Sequence, residues 1–163
     1  MKTLLLMRHA KSSWKDDALP DHDRPLNKRG KHDAPQMGKL LREQNLVPDL
    51  ILCSTALRAT STAQAVLDEC HGGAEIQRHP EIYDGDQDDI LGILRCLPGE
   101  VQTVLLVGHN PGLSELVELL SAESAPMPTA AIAHIELDLE RWQDLTEEAR
   151  GRMKGYWVPR ELT

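Results

Sequence analysis

The chain has 163 residues, of which 40% are hydrophobic and 27% are charged, a composition that is typical of a globular protein. This length predicts one domain over residues 1–163, with a hydrophobic core of its own. The formal net charge of −8 argues against a nucleic-acid-binding protein, which would need a basic face. No apolar run is long enough to span a membrane, and the first one is too short for a signal peptide. We therefore expect a cytoplasmic protein that is not held in a membrane.

Strands and helices alternate along the sequence. Short apolar runs predict buried strands at residues 3–7, 49–53, 74–79, 103–107 and 131–139, with a last strand near Tyr156. Residues 15–24 are rich in Asp, Pro and His and predict a loop. Apolar residues at helical spacing predict one helix from the cap Asn27 to about residue 46 and two more over residues 56–70 and 86–97. A fourth helix is predicted after the fourth strand, with Asn110 as its N-cap and Pro111 as its first residue. This alternation predicts a three-layer α/β/α sandwich with a mostly parallel central sheet.

Polar residues stand where the predicted strands end. Arg8 and His9 follow the first strand, and Arg58 lies one turn into the helix after the second. Glu81 follows the third strand and His109 follows the fourth. Because ligands bind at the carboxyl ends of the strands in such sheets, we expect these side chains to meet at one edge.

This combination of side chains suits the transfer of a phosphoryl group. Two guanidinium groups and helix N-terminal amides bind a dianionic phosphoryl group, and a neutral imidazole can accept it as a nucleophile. A second histidine can stabilise the charge on the phosphoryl oxygens. A carboxylic acid can protonate the leaving group and then activate water. Since the cations are side chains, we expect no metal and no other cofactor.

Four segments carry a resemblance to a known family: MRHA, RPLN separated by two residues from Gly30, CSTALRATSTA and VGHNPG. They resemble the histidine phosphatase superfamily, which has the phosphoglycerate-mutase-like fold. Ala10 stands where the family's Arg-His-Gly signature has glycine, and we expect the loop to tolerate the added methyl group. The short chain, the RPLN segment and PMPTAAIAHIELD near the end are most similar to the SixA branch, the phosphohistidine phosphatases. The resemblance covers nearly the whole chain.

The resemblance implies a role for each matching residue. His9 is the residue that becomes phosphorylated. Arg8, Arg58 and His109 complete the phosphate pocket, and Arg24 of RPLN adds a further contact.

The general acid is left open by the resemblance. Glu81 stands where many members carry the acid, and Asp84 is the alternative. Lys15 lies near the position at which mutase-like members have a phosphate-contacting asparagine, so it is a weaker candidate.

The activity implied is that of a metal-independent phosphatase acting through phospho-His9, with phosphohistidine on a signalling or transport protein as the expected substrate. No long insertion between Cys70 and Gln102 is present to form a lid, so we expect an open pocket suited to a phosphorylated protein or another bulky substrate. A small-molecule phosphomonoester phosphatase or a phosphomutase is the alternative, and a non-catalytic phosphoryl-binding module is a third. Activity should depend on pH in a bell shape, because the nucleophile must be neutral and the acid protonated.

The remaining polar and aromatic residues predict ordinary structural roles. The other histidines show no metal-binding spacing, and the acidic residues 86–89 suit a helix start. The three tryptophans are expected to be packing anchors rather than a stacking platform.

Overall fold

A six-stranded sheet forms the centre of the computed structural model, which describes residues 1–148 and 151–159. The strands are β1 Lys2–Arg8, β2 Leu50–Cys53, β3 Glu75–Arg78, β4 Thr103–Gly108, β5 Ile132–Leu137 and β6 Gly151–Trp157. Their order in the sheet is β3-β2-β4-β1-β5-β6. Strands β1 to β4 are parallel to one another, whereas β5 is antiparallel to both β1 and β6.

Helices cover both faces of this sheet. The α-helices are α1 Lys28–Glu43, α2 Leu57–Cys70, α3 Pro80–Asp84, α4 Gln87–Arg95 and α5 Gly112–Ser121. Leu5 and Met7 of β1 pack with α1 and α2 in one apolar cluster, and Leu4 and Leu6 pack with α4 and α5 in the other. Strands buried on both faces read as continuous apolar runs, and the predicted three-layer α/β/α sandwich is confirmed.

Side-chain caps begin two of the predicted helices. The Asn27 side chain accepts a hydrogen bond from the Gly30 amide at 2.9 Å and starts α1. Asp86 and Asp89 form a reciprocal capping box at the start of α4. Gly30 also lets α1 approach the chain that leaves β1, because a Cβ at this position would collide with the Lys11 carbonyl oxygen.

Two local predictions need correction. Helix α5 begins at Gly112 and not at Pro111, although the Asn110 side chain still accepts from the Ser114 amide at 3.1 Å. Helix α3 was not predicted, because a five-residue helix is too short to show a helical repeat of apolar residues.

Backbone hydrogen bonds fix the residues that follow the parallel strands. Arg8 lies beside Gly108 in the register of β1 and β4, and the His9 amide donates to the Gly108 carbonyl at 3.0 Å. Ala130, with a φ of 66°, donates its amide to the carbonyls of both Arg8 and His9. The end of β1 is therefore held from two sides. No helix within residues 1–148 and 151–159 is long and apolar enough to cross a membrane.

Candidate active site

An open cleft of about 570 Å³ lies at the carboxyl ends of the parallel strands. It brings together six of the candidate residues named from the sequence: Arg8, His9, Arg24, Arg58, His109 and Asp84. Four further residues line it: Trp14, Asp21, Tyr83 and Asn110. We call this the arginine cleft.

The His9 ring is buried and its tautomer is determined by one hydrogen bond. The side chain is only 7% exposed, and Nδ1 lies 2.7 Å from the Ala10 carbonyl oxygen. A carbonyl oxygen only accepts hydrogen bonds, so Nδ1 must carry a proton. Burial, followed by the positive charges of Arg58 and Arg8, lowers the pKa of His9 to about 4. At neutral pH the ring is therefore uncharged and Nε2 keeps a free lone pair.

Ala10 fits the loop after His9 without strain. Its side chain is fully buried, and its amide donates to Thr62 Oγ1 at 3.0 Å. Its φ is not positive, so the position does not require the glycine of the family signature. The added methyl group is tolerated, as expected.

His109 stands beside His9 as a second neutral imidazole. The two ring centroids are 5.1 Å apart, and His109 Nε2 lies 2.7 Å from the Ser54 hydroxyl oxygen. Burial, followed by His9 and Arg58, lowers the pKa of His109 to about 3. Ser54 comes directly after β2, so the ends of three strands contribute to this pair of rings.

Asp21 joins two of the cleft arginines and was not predicted from the sequence. Its carboxylate accepts from Arg58 Nη2 at 3.0 Å, from Arg24 Nη1 at 3.0 Å and from the Tyr83 hydroxyl at 2.8 Å. Arg58 Nη1 also donates to the Asp21 backbone carbonyl at 2.7 Å. The Tyr83 hydrogen bond, followed by those of the arginines, lowers the pKa of Asp21 to about 2, so this carboxylate stays ionised.

Arg24 has further partners, and Arg8 is held separately. Arg24 donates to the Ser13 carbonyl at 3.1 Å and to the Ser12 hydroxyl, and its guanidinium carbon lies 3.2 Å from the ring centroid of Trp14. Arg8 donates from Nη1 to the Met127 carbonyl at 3.2 Å, whereas its Nε is buried and has no hydrogen-bond partner in the described part of the chain. Arg24 is thus largely committed to the protein, and Arg8 keeps an unsatisfied donor.

The structure separates the two candidate acids. The Glu81 side chain is 50% exposed, lies 3.9 Å from His79 Nδ1 and does not line the cleft. Asp84, at the other end of α3, does line it. Lys15 is exposed and is not among the residues of the cleft.

One prediction about the tryptophans is wrong. Trp142 is fully buried and is a packing anchor, as expected. Trp14, in contrast, is 73% exposed at the arginine cleft. Loop residues without apolar periodicity gave no sequence signal for this position.

A second depression adjoins the arginine cleft. It encloses about 530 Å³ and shares Tyr83, Asp84, His109 and Asn110 with the cleft. Its remaining lining includes four acidic side chains over an apolar floor: Asp86, Asp88, Glu115 and Glu147. We call it the acidic groove. Within residues 1–148 and 151–159, no group of three or more His, Cys, Asp or Glu side chains is arranged to hold a metal ion.

A buried neutral histidine among arginines, at the carboxyl edge of an α/β/α sandwich, defines a class of proteins that handle phosphoryl groups. The chain belongs to the histidine phosphatase superfamily, since the model of branch 1 of that family matches residues 4–93. This confirms the family predicted from the four sequence segments.

Relatives support this assignment over most of the chain. The phosphohistidine phosphatase SixA of Escherichia coli is 33% identical over 139 residues, which are 83% of this chain and 85% of SixA. A chloroplastic protein of Arabidopsis thaliana is 33% identical over 152 residues, 88% of this chain and 70% of its own. A structure of the protein histidine phosphatase SixA complexed with tungstate superimposes with a TM-score of 0.83 at 29% identity, covering 99% of both chains. The fold is that of the SixA structures.

Proposed function

We propose that the protein is a phosphatase that forms a covalent phosphoryl intermediate on His9 Nε2. One observation carries this proposal: the Ala10 carbonyl holds the proton on Nδ1, while burial and the arginines keep the ring neutral. A neutral imidazole with a free Nε2 in an arginine-lined cleft is an activated nucleophile next to an anion site. Membership of the histidine phosphatase superfamily supports phosphatase activity.

The proposed reaction has two displacements. First, the Nε2 lone pair attacks phosphorus, the bond from phosphorus to the leaving group breaks, and the leaving group takes a proton from Asp84. Next, water attacks phosphorus as it loses a proton to Asp84, and the bond from phosphorus to Nε2 breaks. Inorganic phosphate leaves and both side chains return to their starting forms. We assign the acid to Asp84 because it lines the cleft and Glu81 does not.

The arginines and His109 would stabilise the phosphoryl oxygens during both steps. Arg8 ends β1 and Arg58 lies in α2 just after β2, and β4, which His109 follows, lies between these two strands. Arg24, bound to Asp21, adds positive charge. A phosphoryl oxygen would supply the acceptor that buried Arg8 Nε lacks among the described residues. Fixed donors at developing charge are commonly the largest contribution to this kind of catalysis.

We further propose phosphohistidine on a protein as the substrate. The cleft is open, and the SixA relative is named for phosphohistidine hydrolysis. A signalling or transport protein fits this role, and hydrolysis of a small phosphate ester is the alternative. The cytoplasmic location expected from the sequence stays a prediction.

A side-by-side assay tests the function. The wild type should hydrolyse a histidine-phosphorylated protein faster than 3-phosphoglycerate or para-nitrophenyl phosphate. His9→Ala should lower kcat by at least about a thousandfold, while His32→Ala, on the exposed surface of α1, should match the wild type. Full activity of His9→Ala would exclude the proposed nucleophile. Tight phosphate binding without turnover of any compound would favour a non-catalytic binding module.

A further inference from the structure

Exposed apolar side chains are concentrated beside the arginine cleft. In the described part of the chain, four large hydrophobic side chains are exposed: Met1, Trp14, Leu19 and Leu57. Trp14 lines the cleft, Leu19 is two residues before Asp21, and Leu57 directly precedes Arg58. We call Trp14, Leu19 and Leu57 the apolar rim. Single exposed hydrophobic residues are common on protein surfaces. Trp14, however, lines the charged cleft, and the segments that carry Leu19 and Leu57 meet beside it through the hydrogen bonds between Arg58 and Asp21. This arrangement indicates one contact surface.

Trp14 is held in place although it is mostly exposed. One face of its indole stacks on the Arg24 guanidinium. Arg24 is in turn fixed by Asp21, Ser12 and Ser13. The ring is therefore oriented before any partner arrives, so that a contact with its free face costs little side-chain entropy.

We infer that the apolar rim binds the protein surface that surrounds a phosphorylated side chain. This inference rests on the proposed phosphatase function and names how the substrate is recognised. A carrier protein that brings a phosphoryl group to His9 must place its own surface over the mouth of the cleft. The arginines then bind the dianion, and the rim meets the neutral surface beside it.

Charge complementarity specifies this partner further. The loop of residues 14–24 offers an indole and one leucine among the exposed carboxylates of Asp16, Asp17 and Asp23, and the acidic groove on the α4 side adds four more carboxylates. Both sides of the cleft therefore repel an acidic surface. The partner that fits is a phosphorylated protein with apolar side chains next to its phosphorylated residue. Tryptophan and arginine are also the residues most often responsible for binding energy at protein interfaces.

Two substrates with the same leaving group separate rim contacts from cleft chemistry. One is a histidine-phosphorylated phosphotransfer protein, and the other is free phosphohistidine. Trp14→Ser should raise KM for the protein about tenfold, and Leu57→Ser about threefold, with kcat unchanged. Leu57→Ser should hydrolyse free phosphohistidine within about twofold of the wild type, and Trp14→Ser should lose much less activity on free phosphohistidine than on the protein. Trp14→Phe should recover most of the affinity for the protein.

Two controls accompany these variants. Arg141→Ala is the first control. Arg141 follows β5, and the carboxyl end of β5 pairs with the start of β1, at the end of the sheet opposite the cleft. This variant should change the kinetics of neither substrate. Tungstate affinity should match the wild type in every variant, which shows that the arginines remain in place.

Three outcomes would overturn the inference. Equal losses on both substrates would mean that Trp14 acts only through Arg24. No change on either substrate would leave the rim without a role in recognition, while the phosphatase function would stand. If the wild type sediments as a dimer and Trp14→Ser as a monomer, the apolar rim serves self-association instead of substrate binding. Failure of the wild type to hydrolyse either compound would instead refute the proposed phosphatase function, and the proposed partner of the apolar rim would be refuted with it.

Discussion

The arginine cleft and the acidic groove lie side by side and enclose similar volumes, about 570 and 530 Å³. They even share Tyr83, Asp84, His109 and Asn110. Their charges are nonetheless opposite, because three arginines line the first and four further carboxylates line the second. Size therefore does not distinguish a phosphoryl site from its neighbour in this molecule.

The difference lies in which charges are fixed and partly removed from water. Arg24 and Arg58 are buried and tied to Asp21, whereas Asp86 and Asp88 of the acidic groove are exposed. Two unit charges 4 Å apart interact by about 4 kcal/mol at an effective dielectric constant of 20 but by about 1 kcal/mol in water. The buried arginines should thus control anion binding, and the exposed acids should matter little.

After His9→Ala, the largest expected effect comes from removing a cleft arginine. Arg58→Ala should lower kcat/KM by about a hundredfold to a thousandfold, because it deletes a fixed donor at the transferring phosphoryl group. Arg78→Ala is the matched control, since Arg78 ends β3 at the same sheet edge but lies outside the cleft. Steady-state kinetics of both variants measure the effect. Equal activity of Arg58→Ala and Arg78→Ala would contradict the assigned role.

The two candidate acids should differ next. Asp84→Asn should lower kcat about a hundredfold on phosphohistidine, with a smaller loss on para-nitrophenyl phosphate, whose leaving group needs less protonation. Glu81→Gln should stay within about threefold of the wild type on both substrates. The reverse order of losses would restore Glu81 as the acid.

The buried histidines should make folding stability sensitive to pH. The pKa values of His9 and His109 are lowered to about 4 and about 3 in the fold, below the ordinary value of about 6.5 for an unfolded chain. Between these values the unfolded state binds more protons, so the free energy of unfolding falls as pH drops from 6.5 toward 4. Each histidine should contribute up to about 1.4 kcal/mol per pH unit.

Chemical denaturation at a series of pH values tests this linkage. His109→Gln should show a shallower loss of stability than the wild type over the same window. Parallel curves for the two proteins would show that His109 is not buried as a neutral ring.

The smallest effect is expected from the acidic groove. Asp88→Asn and Glu115→Gln should change kcat/KM for para-nitrophenyl phosphate by less than about twofold, because exposed charges are screened by solvent and salt. Tungstate inhibition measured at low and high salt provides a second readout. A tenfold loss in either variant would mean that the groove takes part in the chemistry.

Much of the fold and six of the ten cleft residues could be predicted from the sequence. The apolar runs before Arg8 and before His109 mark neighbouring parallel strands, and parallel strands end at one edge. Asn27 and Asp86 indicated helix starts in the sequence because their side chains can accept hydrogen bonds from free amides of the first turn, and the same hydrogen bonds stabilise the helices in the structure. These signals are local, and the topology of the sheet then gathers the residues.

The remaining cleft residues could not be predicted, because their positions depend on long-range contacts. Asp21 precedes Arg24 by three residues, which suggests an ion pair, but its bonds to Arg58 and Tyr83 join residues 37 and 62 positions away. Glu81 was placed correctly after β3, but the short helix α3 leaves it beside His79 and brings Asp84 to the cleft. Trp14 lies in a loop with no periodicity to indicate its exposure.

The most direct test of the central claim is to trap the phosphoryl group on His9. Turnover of a phosphohistidine substrate would be quenched under alkaline denaturing conditions, and the digested chain would be mapped by mass spectrometry. We predict a phosphoryl group on the peptide that contains His9, stable in alkali, lost on acid treatment and absent from His9→Ala. A phosphoryl group on another residue, or rapid turnover with none on the chain, would contradict the account.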